Sequence, residues 1–210
     1  MIAVIDYGMG NLRSVQKSLE FVGAKVVVTH DPDLILNADS VVLPGVGSFK
    51  DCMSNLKELN LIGPIRKFID GGKPFLGICL GLQVLFEESE EYGPVAGLGI
   101  LPGKVVKFSR NISETKNGQL IKVPHMGWNK IEVKKKEPLF ENIDVIAPYF
   151  YFVHSYYVVP KDKNMVATVT NYGIEFVSGI QYKNIYAFQF HPEKSQTMGL
   201  ALLERFSNLN

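Results

Sequence analysis

The sequence has 210 residues, 46% of them hydrophobic, and its 22 Lys and Arg residues nearly balance its 21 Asp and Glu residues, for a formal net charge of +1. This balance excludes the concentrated positive charge by which proteins bind nucleic acid or anionic membrane surfaces, so we expect neither as a partner. No apolar run approaches the roughly 18 residues of a membrane-spanning helix, and residues 1–6 lack the basic start of a signal peptide. Because the two cysteines, Cys52 and Cys79, make no disulfide framework, we expect a cytoplasmic protein with free thiols.

In the first half of the chain, short apolar runs alternate with segments of helical periodicity, a pattern typical of β-α-β units with a parallel sheet. The runs at residues 2–5, 25–29, 40–44 and 74–78 are predicted strands. Predicted helices cover residues 11–22, 64–70 and 80 to about 88, and the second of them begins with a proline and ends at paired glycines.

Beyond about Gly99 the pattern changes to short strands joined by turns, which we interpret as antiparallel hairpins added to the parallel sheet. The predicted strands are 105–108, 128–133, 149–159, 165–170, 179–181 and 185–190, and a last helix covers 197–208. The polar segment 111–120 is predicted to be a longer hairpin that carries no chemistry. Since no linker, repeat or low-complexity tract interrupts the chain, we predict a single domain over residues 1–210.

Several chemically distinctive segments come directly after predicted strands. Glycine-rich or reactive loops follow Ile5, Leu43 and Ile78, and His191 follows the run at 187–190. In open α/β sheets, ligands bind at the carboxyl ends of the strands. We therefore expect these segments to meet in one site at that edge of the sheet.

The segment Gly77-Ile78-Cys79-Leu80-Gly81 has the form of a nucleophile elbow, a sharp strand-to-helix turn that projects one side chain free of the sheet. A helix that begins at Leu80 would bring its positive end to the sulfur and favour the thiolate, and the Leu80 amide would face a developing oxyanion. An isolated cysteine is more often a small buried apolar residue, which is our interpretation of Cys52. The elbow favours Cys79 as a nucleophile.

A base and an orienting group for this nucleophile stand together in His191-Pro192-Glu193. Pro192 disfavours a helix, so we expect an extended chain in which His191 and Glu193 point the same way. Glu193 could then accept a hydrogen bond from one imidazole nitrogen and leave the other for Cys79. The three residues alone are a weak signal, but beside a cysteine elbow they predict a Cys79–His191–Glu193 triad.

Two glycine-rich loops offer backbone amides. In Pro44-Gly45-Val46-Gly47 the paired glycines could turn an amide toward a neighbouring site as an oxyanion hole, although the same residues fit an ordinary tight turn. The segment 6–11 resembles a phosphate-cradling turn but lacks the full dinucleotide fingerprint and a P-loop lysine, so we expect no nucleotide there. Because His30, His125 and His154 are not spaced as metal ligands, we predict no metal and no cofactor.

Three motifs together resemble the class I, or triad-type, glutamine amidotransferases over essentially the whole chain. They are Gly-Ile-Cys-Leu-Gly-Leu-Gln at 77–83, Pro-Gly-Val-Gly at 44–47 and Gln-Phe-His-Pro-Glu-Lys-Ser at 189–195. Three further segments resemble, more narrowly, the glutaminase subunits of imidazole glycerol phosphate synthases. They are Asp-Tyr-Gly-Met-Gly-Asn at 6–11, Val-Pro-His-Met-Gly-Trp-Asn at 123–129 and Tyr-Phe-Val-His-Ser-Tyr at 151–156, of which the second is the most specific.

The resemblance implies a three-layer α/β fold, with an open, mostly parallel sheet, helices on both faces and appended antiparallel strands. It implies that Cys79 attacks the side-chain amide of glutamine to form a γ-glutamyl thioester. His191, oriented by Glu193, would protonate the leaving ammonia and then activate water. The implied oxyanion residues are Gly45, Val46 and Leu80, and in such enzymes a backbone flip of the glycine loop can accompany activation. The residues implied to hold glutamine are Gly47, Gln83, Glu91, Ser155 and Tyr156, with Glu91 on its α-ammonium group.

The resemblance also implies a heterodimer with a (β/α)8-barrel cyclase subunit, which would receive the ammonia by a shielded route. The cyclase would convert a phosphoribulosyl-formimino carboxamide nucleotide into imidazole glycerol phosphate and an aminoimidazole carboxamide ribotide, in histidine biosynthesis. The residues implied near the interface are Asn11, His125, Met126, Trp128, Tyr151 and Lys194. Met126 and Trp128 could instead be core residues, but a single Trp beside Gly127 in a polar turn favours an interface anchor. Without its partner, the chain is expected to hydrolyse glutamine slowly.

Two other functions stay open from the sequence. The chain could supply ammonia to a different synthase, for anthranilate, carbamoyl phosphate or pyridoxal phosphate, and the segment 124–129 argues against this. It could also be a catalytically silent scaffold on the same fold, and the intact set of Cys79, His191 and Glu193 argues against that.

Overall fold

The computed structural model describes residues 1–109, 121–135, 138–140 and 148–209, so the predicted hairpin at 111–120 lies outside the described residues. The helices are α1 Leu12–Phe21, α2 Pro32–Asn37, α3 Phe49–Glu58, α4 Ile62–Asp70, α5 Leu80–Gln83 and α6 Gln196–Ser207. The strands are β1 Ile2–Ile5, β2 Val26–Thr29, β3 Ser40–Gly45, β4 Phe75–Cys79, β5 Phe86–Ser89, β6 Val95–Ala96, β7 Leu101–Lys107, β8 His125–Lys130, β9 Glu132–Val133, β10 Tyr149–His154, β11 Tyr156–Pro160, β12 Val166–Tyr172, β13 Ile174–Tyr182 and β14 Ile185–Phe188. No helix of the described residues is both long enough and apolar enough to cross a membrane.

The main sheet is parallel on one side and mainly antiparallel on the other. Its order is β2-β1-β3-β4-β14-β13-β11-β7-β5-β6, with β12 and β9 attached beside β13. Neighbours from β2 to β14 run parallel, whereas β14, β13, β11 and β7 alternate in direction. The parallel strands β1, β3 and β4 are buried along their whole length, which explains why they read as continuous apolar runs.

Helices cover both faces of the parallel half. On one face, Ala3 and Ile5 of β1 belong to a core that includes buried residues of α2, α3 and α4. On the other face, Ile2 and Val4 pack in a second core with α1 and α6. Because successive residues of a strand point to opposite faces, one strand contributes to both cores. This three-layer arrangement confirms the predicted fold class.

A separate two-stranded ribbon, β8 with β10, lies beside the main sheet. Alternate residues of β8 face inward and outward, with His125 buried and Met126 exposed. The inward side chains of β10 join the second core, where the Phe150 ring lies 4.2 Å from the Phe190 ring. The ribbon also contacts the backbone of the segment after β14, because His191 donates its backbone N–H to the Tyr151 carbonyl at 2.9 Å.

The structure differs from the predicted elements in several places. The helix after Cys79 has only one turn, and the following residues of β5 pair with β6 and β7, so tertiary pairing overrides the local helical pattern. Helices α2 and α3 were not predicted, although each has a side-chain cap, from Asp31 and Ser48 respectively. The predicted strand 149–159 divides at Ser155 into β10 of the ribbon and β11 of the main sheet.

The ribbon offers a matched pair of stability variants on one strand. Phe150→Ala removes a fully buried ring and leaves a cavity, so we expect the free energy of unfolding to fall by about 3–5 kcal/mol. Tyr149→Ala removes a neighbouring ring that is half exposed, and we expect a change within about 0.5 kcal/mol. Urea unfolding followed by circular dichroism measures both, and equal losses would contradict the described packing of β10.

Candidate active site

Cys79 stands on a sharp backbone turn between β4 and α5. Its φ of 55° and ψ of −104° lie outside the regions that side chains favour, so the turn is strained. The flanking glycines make this turn possible. A Cβ on Gly81 would lie 1.9 Å from the Leu43 carbonyl oxygen, and a Cβ on Gly77 would lie 2.7 Å from the Gly81 carbonyl oxygen. The local geometry is that of the predicted elbow.

His191 and Glu193 form a buried pair next to this elbow. The Nδ1 atom of His191 lies 2.8 Å from a carboxylate oxygen of Glu193, and each side chain is 1% exposed. His191 is extended as predicted, but Pro192–Lys194 forms a 3-10 turn, so the expected extended path to Glu193 is wrong. The turn is closed by hydrogen bonds to the His191 carbonyl from the Lys194 amide and the Ser195 hydroxyl.

The charge state of His191 depends on its two neighbours. Burial disfavours the protonated imidazole, yet the pKa of His191 is raised to about 10 because Cys79 and Glu193 outweigh that cost. Glu193 engages Nδ1, and Nε2 makes no hydrogen bond within the described residues. The second nitrogen is therefore free to exchange a proton with a group in the cavity that both His191 and Cys79 line.

A glycine loop at the end of β3 forms another wall of the site. Gly45 packs so closely that a Cβ there would lie 2.6 Å from the Leu80 Cβ and 2.9 Å from the Tyr7 hydroxyl. Gly47 has a φ of 98°, which favours glycine. Of the predicted oxyanion residues, Val46 and Leu80 line the cavity, while Gly45 is buried at its edge.

The cavity itself has a volume of about 310 Å³, near the lower end for small-molecule sites, which suits a ligand of amino-acid size. All five residues predicted to hold glutamine line it, namely Gly47, Gln83, Glu91, Ser155 and Tyr156. One Glu91 carboxylate oxygen accepts a hydrogen bond from the Phe49 amide at 2.6 Å, which holds the side chain against the first turn of α3. Three further lining residues, Pro124, Val153 and His154, were not predicted.

His154 belongs to a chain of buried hydrogen bonds whose direction the geometry determines. Its Nδ1 lies 2.8 Å from the Tyr156 carbonyl, which can only accept, so Nδ1 carries the proton. In a neutral ring Nε2 is then an acceptor, and it receives a hydrogen bond at 2.9 Å from Nδ1 of His125. The remaining nitrogen of His125 accepts from the Asn129 amide at 3.2 Å. Burial lowers the pKa of His125 to about 4 and that of His154 to about 3, so both rings are neutral.

The residues predicted near a partner do not all lie on one surface. Met126 and Trp128 are on the outward face, 66% and 46% exposed, and Trp128 meets the Tyr151 ring edge-on. Lys194 lies over the Tyr151 ring, with its amino nitrogen 5.7 Å from the centroid. The His125 side chain instead points inward and is stacked between Phe152 and Tyr172, so it offers a partner no surface in this structure. Asn11 is half-buried at the start of α1.

Metal ligands do not cluster at this site or elsewhere in the described part of the chain. No three His, Cys, Asp or Glu side chains among those residues are arranged to hold a metal ion. The chemistry that the cavity offers is therefore that of a cysteine, an imidazole–carboxylate pair and backbone amides.

The fold and the site together define a class of protein, and the comparisons agree. A family model for glutamine amidotransferase class-I matches residues 3–208, and the chain belongs to this family. A solved crystal structure of a glutamine amidotransferase superposes with a TM-score of 0.70 at 17% identity, covering 100% of both chains. At that identity the likeness shows the fold alone.

Relatives of higher sequence identity show which family within this class the chain belongs to. The imidazole glycerol phosphate synthase subunit HisH of Syntrophotalea carbinolica is 51% identical over 209 residues, covering 100% of both chains. The protein of the same name from Aquifex aeolicus is 54% identical over 204 residues, which are 97% of this chain and 94% of the relative. Within the class, the chain therefore belongs to the family of imidazole glycerol phosphate synthase subunits HisH.

The buried histidine chain predicts a specific acid sensitivity. Between about pH 6.5 and pH 3, the His154 ring binds a proton in the unfolded chain but not in the native protein. The contribution of His154 to the free energy of unfolding is therefore fully present above pH 6.5 and is lost as the pH falls toward 3. His154→Gln should flatten the dependence of the unfolding free energy on pH between 6.5 and 5, by up to about 1.4 kcal/mol per pH unit. Urea titrations at several pH values measure this slope.

The control for this variant is His30→Gln, because His30 is exposed at the surface. The slope of His30→Gln should match that of the unmodified chain. An unchanged slope in His154→Gln would mean that His154 is not held as a buried neutral ring.

Proposed function

We propose that the chain is the glutaminase subunit of an imidazole glycerol phosphate synthase, which hydrolyses glutamine and supplies the ammonia to a cyclase partner. The observation that carries this proposal is the convergence of Cys79 with the His191–Glu193 pair on one cavity of amino-acid size. The full-length likeness to subunits named HisH supports histidine biosynthesis as the pathway. It also favours this partner over an anthranilate, carbamoyl phosphate or pyridoxal phosphate synthase.

In the first half of the proposed reaction, the Cys79 sulfur attacks the side-chain amide carbon of glutamine. The carbonyl oxygen becomes an oxyanion, for which the backbone amides of Val46 and Leu80 on the cavity wall are the candidate donors. His191 then donates its Nε2 proton to the amide nitrogen, and the carbon–nitrogen bond breaks to release ammonia. A γ-glutamyl thioester on Cys79 is left.

In the second half, water replaces ammonia at the same position. His191 accepts a proton from the water as the oxygen attacks the thioester carbon, and the sulfur leaves as glutamate forms. Glu193 accepts the Nδ1–H of the imidazole throughout, which fixes the ring orientation and stabilises its protonated form. The raised pKa of His191 is consistent with a ring that begins the cycle protonated.

The proposed glutamine site uses other residues that line the same cavity. Glu91 supplies a carboxylate for the α-ammonium group, and its contact with the Phe49 amide keeps it in place. The backbone of Ser155 and Tyr156 faces the carboxylate end of the ligand. Gln83 and Gly47 complete the enclosure.

The proposed cyclase, a (β/α)8-barrel subunit, would dock on the outward face of the ribbon. This face carries Met126, Trp128 and Tyr151, and Lys194 lies at its edge. Exposed aromatic and Met side chains are typical anchors of protein interfaces. The face is next to the site, because the Tyr151 carbonyl accepts from the His191 amide and the Val153 carbonyl lies 3.9 Å from the Cys79 sulfur. Ammonia released in the cavity would have a short path to a subunit docked there.

The nucleophile is tested by replacing each cysteine separately. Cys79→Ala should lower glutamate release from glutamine by about a thousandfold or more in the presence of the cyclase, because no thioester can form. Cys52→Ala is the matched control, since Cys52 is buried in the core and does not line the cavity. We expect it to keep activity within a few fold, and comparable turnover in the two variants would refute the mechanism.

The docking face is tested by truncating its central aromatic residue. Trp128→Ala should weaken binding of the cyclase by about 2 kcal/mol, or roughly thirtyfold in Kd, because a buried aromatic anchor is lost. Phe21→Ala, which removes an exposed ring at the far end of α1, should leave Kd unchanged. Isothermal titration calorimetry measures both, and an unaltered Kd for Trp128→Ala would place the partner on another surface.

A further inference from the structure

Gln189 occupies a fully buried position beside the proposed nucleophile. It follows β14, whose parallel pairing with β4 ends at Phe188 and Ile78, so Gln189 and Cys79 come next on adjacent strands. The Gln189 backbone is fixed by its amide, which donates to the Ser178 carbonyl at 2.9 Å. Its side-chain Nε2 lies 3.6 Å from the Cys79 sulfur. A polar side chain with 0% exposure needs hydrogen-bond partners, and this one has the sulfur.

The surrounding hydrogen bonds determine which end of the Gln189 amide faces the sulfur. Gln83 Nε2 lies 3.0 Å from the Tyr156 carbonyl, and because a carbonyl only accepts, the Gln83 nitrogen must be the donor. The same nitrogen lies 3.0 Å from the Gln189 Oε1 and donates its second hydrogen there. The oxygen of Gln189 therefore faces Gln83, and its N–H groups face Cys79.

We propose that Gln189 is a catalytic residue of the glutaminase reaction, whose side-chain N–H donates a hydrogen bond to the Cys79 sulfur and stabilises it when it carries negative charge. This inference rests on the proposed function. The sulfur is anionic at two moments, before it attacks glutamine and when it leaves the thioester. A fixed donor at a buried position stabilises both states, and His191, two residues further along the same segment, interacts electrostatically with the same sulfur.

The proposal predicts a signature in the reactivity of Cys79 that a purely structural role would not give. Loss of a hydrogen bond to a charged group should move the midpoint of the pH profile for alkylation upward by about one unit. A more basic sulfur is also intrinsically more nucleophilic, by about threefold per unit. A variant without the donor should therefore react about threefold more slowly below the midpoint and about threefold faster above it, so that the two profiles cross.

The experiment follows iodoacetamide alkylation of the full-length chain in its complex with the cyclase, between pH 5 and 10, with peptide mass mapping. Gln189→Met keeps the length of the side chain and removes the donor. Gln181→Met is the matched control, because its amide nitrogen donates to the nearby Lys183 carbonyl and its half-buried side chain on β13 does not line the cavity. Burial raises the pKa of Cys52 to about 12, so Cys52 should stay unmodified and serve as an internal reference.

The expected result is a crossing profile for Gln189→Met and an unaltered profile for Gln181→Met. An unmoved midpoint in folded Gln189→Met would overturn the proposal. If that variant does not fold, Gln189→Glu gives the same decision, because it keeps the size of the side chain and puts a carboxylate oxygen where the donor stood. An unmoved midpoint there is equally contradictory. Glutamate release separates the two levels of inference. Its absence from the unmodified complex would refute the glutaminase itself, and its persistence in Cys79→Ala would refute Cys79 as the nucleophile, whatever Gln189 does.

Discussion

The site depends on one strained turn of the backbone, at Cys79. A positive φ on a residue with a side chain costs roughly 1–3 kcal/mol, and it persists only where the surroundings leave no alternative. Here Gly81 packs against the Leu43 carbonyl and Gly77 against the Gly81 carbonyl, with no space for a side chain at either position. The turn projects the sulfur from the sheet into the cavity, where the side chains of the segment after β14 can contact it.

The parallel pairing of β4 with β14 places the side chains that follow β14 beside the Cys79 sulfur. It brings the chain after Phe188 alongside Cys79, so that Gln189 reaches the sulfur and His191, two residues later, lines the same cavity. The hydrogen bond from the His191 amide to the Tyr151 carbonyl then ties this segment to the ribbon. The proposed nucleophile, its proposed base and the outward aromatic face are thus connected by strand pairing and a backbone hydrogen bond.

A single carbonyl, that of Tyr156, joins two sets of buried polar groups. It accepts a hydrogen bond from His154, the last member of the series Asn129–His125–His154. It also accepts a hydrogen bond from Gln83, whose amide nitrogen also donates to Gln189, the residue beside the Cys79 sulfur. Every member of these chains has a determined donor or acceptor role. Fully satisfied networks of this kind make a buried structure specific, because any rearrangement leaves a polar group unpaired. The cavity wall at Tyr156, part of the proposed glutamine site, is therefore held by hydrogen bonds from His154 and Gln83.

The sequence predicted the parts of the molecule that depend on local patterns. Continuous apolar runs located the parallel strands, and the glycines around Cys79 located the elbow, since both are set by burial and backbone freedom. Tertiary contacts decided the rest. The one-turn length of α5 follows from strand pairing of β5, and the inward orientation of His125 follows from its alternation on β8. Gln189 stood in a recognised motif, but its contact with Cys79 depends on strand register, which the sequence does not reveal.

The most direct test of this account is to trap the covalent intermediate. The complex with the cyclase would be mixed with glutamine, quenched in acid within milliseconds to seconds, digested and examined by mass spectrometry. The account predicts a γ-glutamyl adduct on the peptide that contains Cys79 and none on the peptide that contains Cys52. Ammonia release without any adduct on Cys79, or with the adduct on another residue, would contradict it.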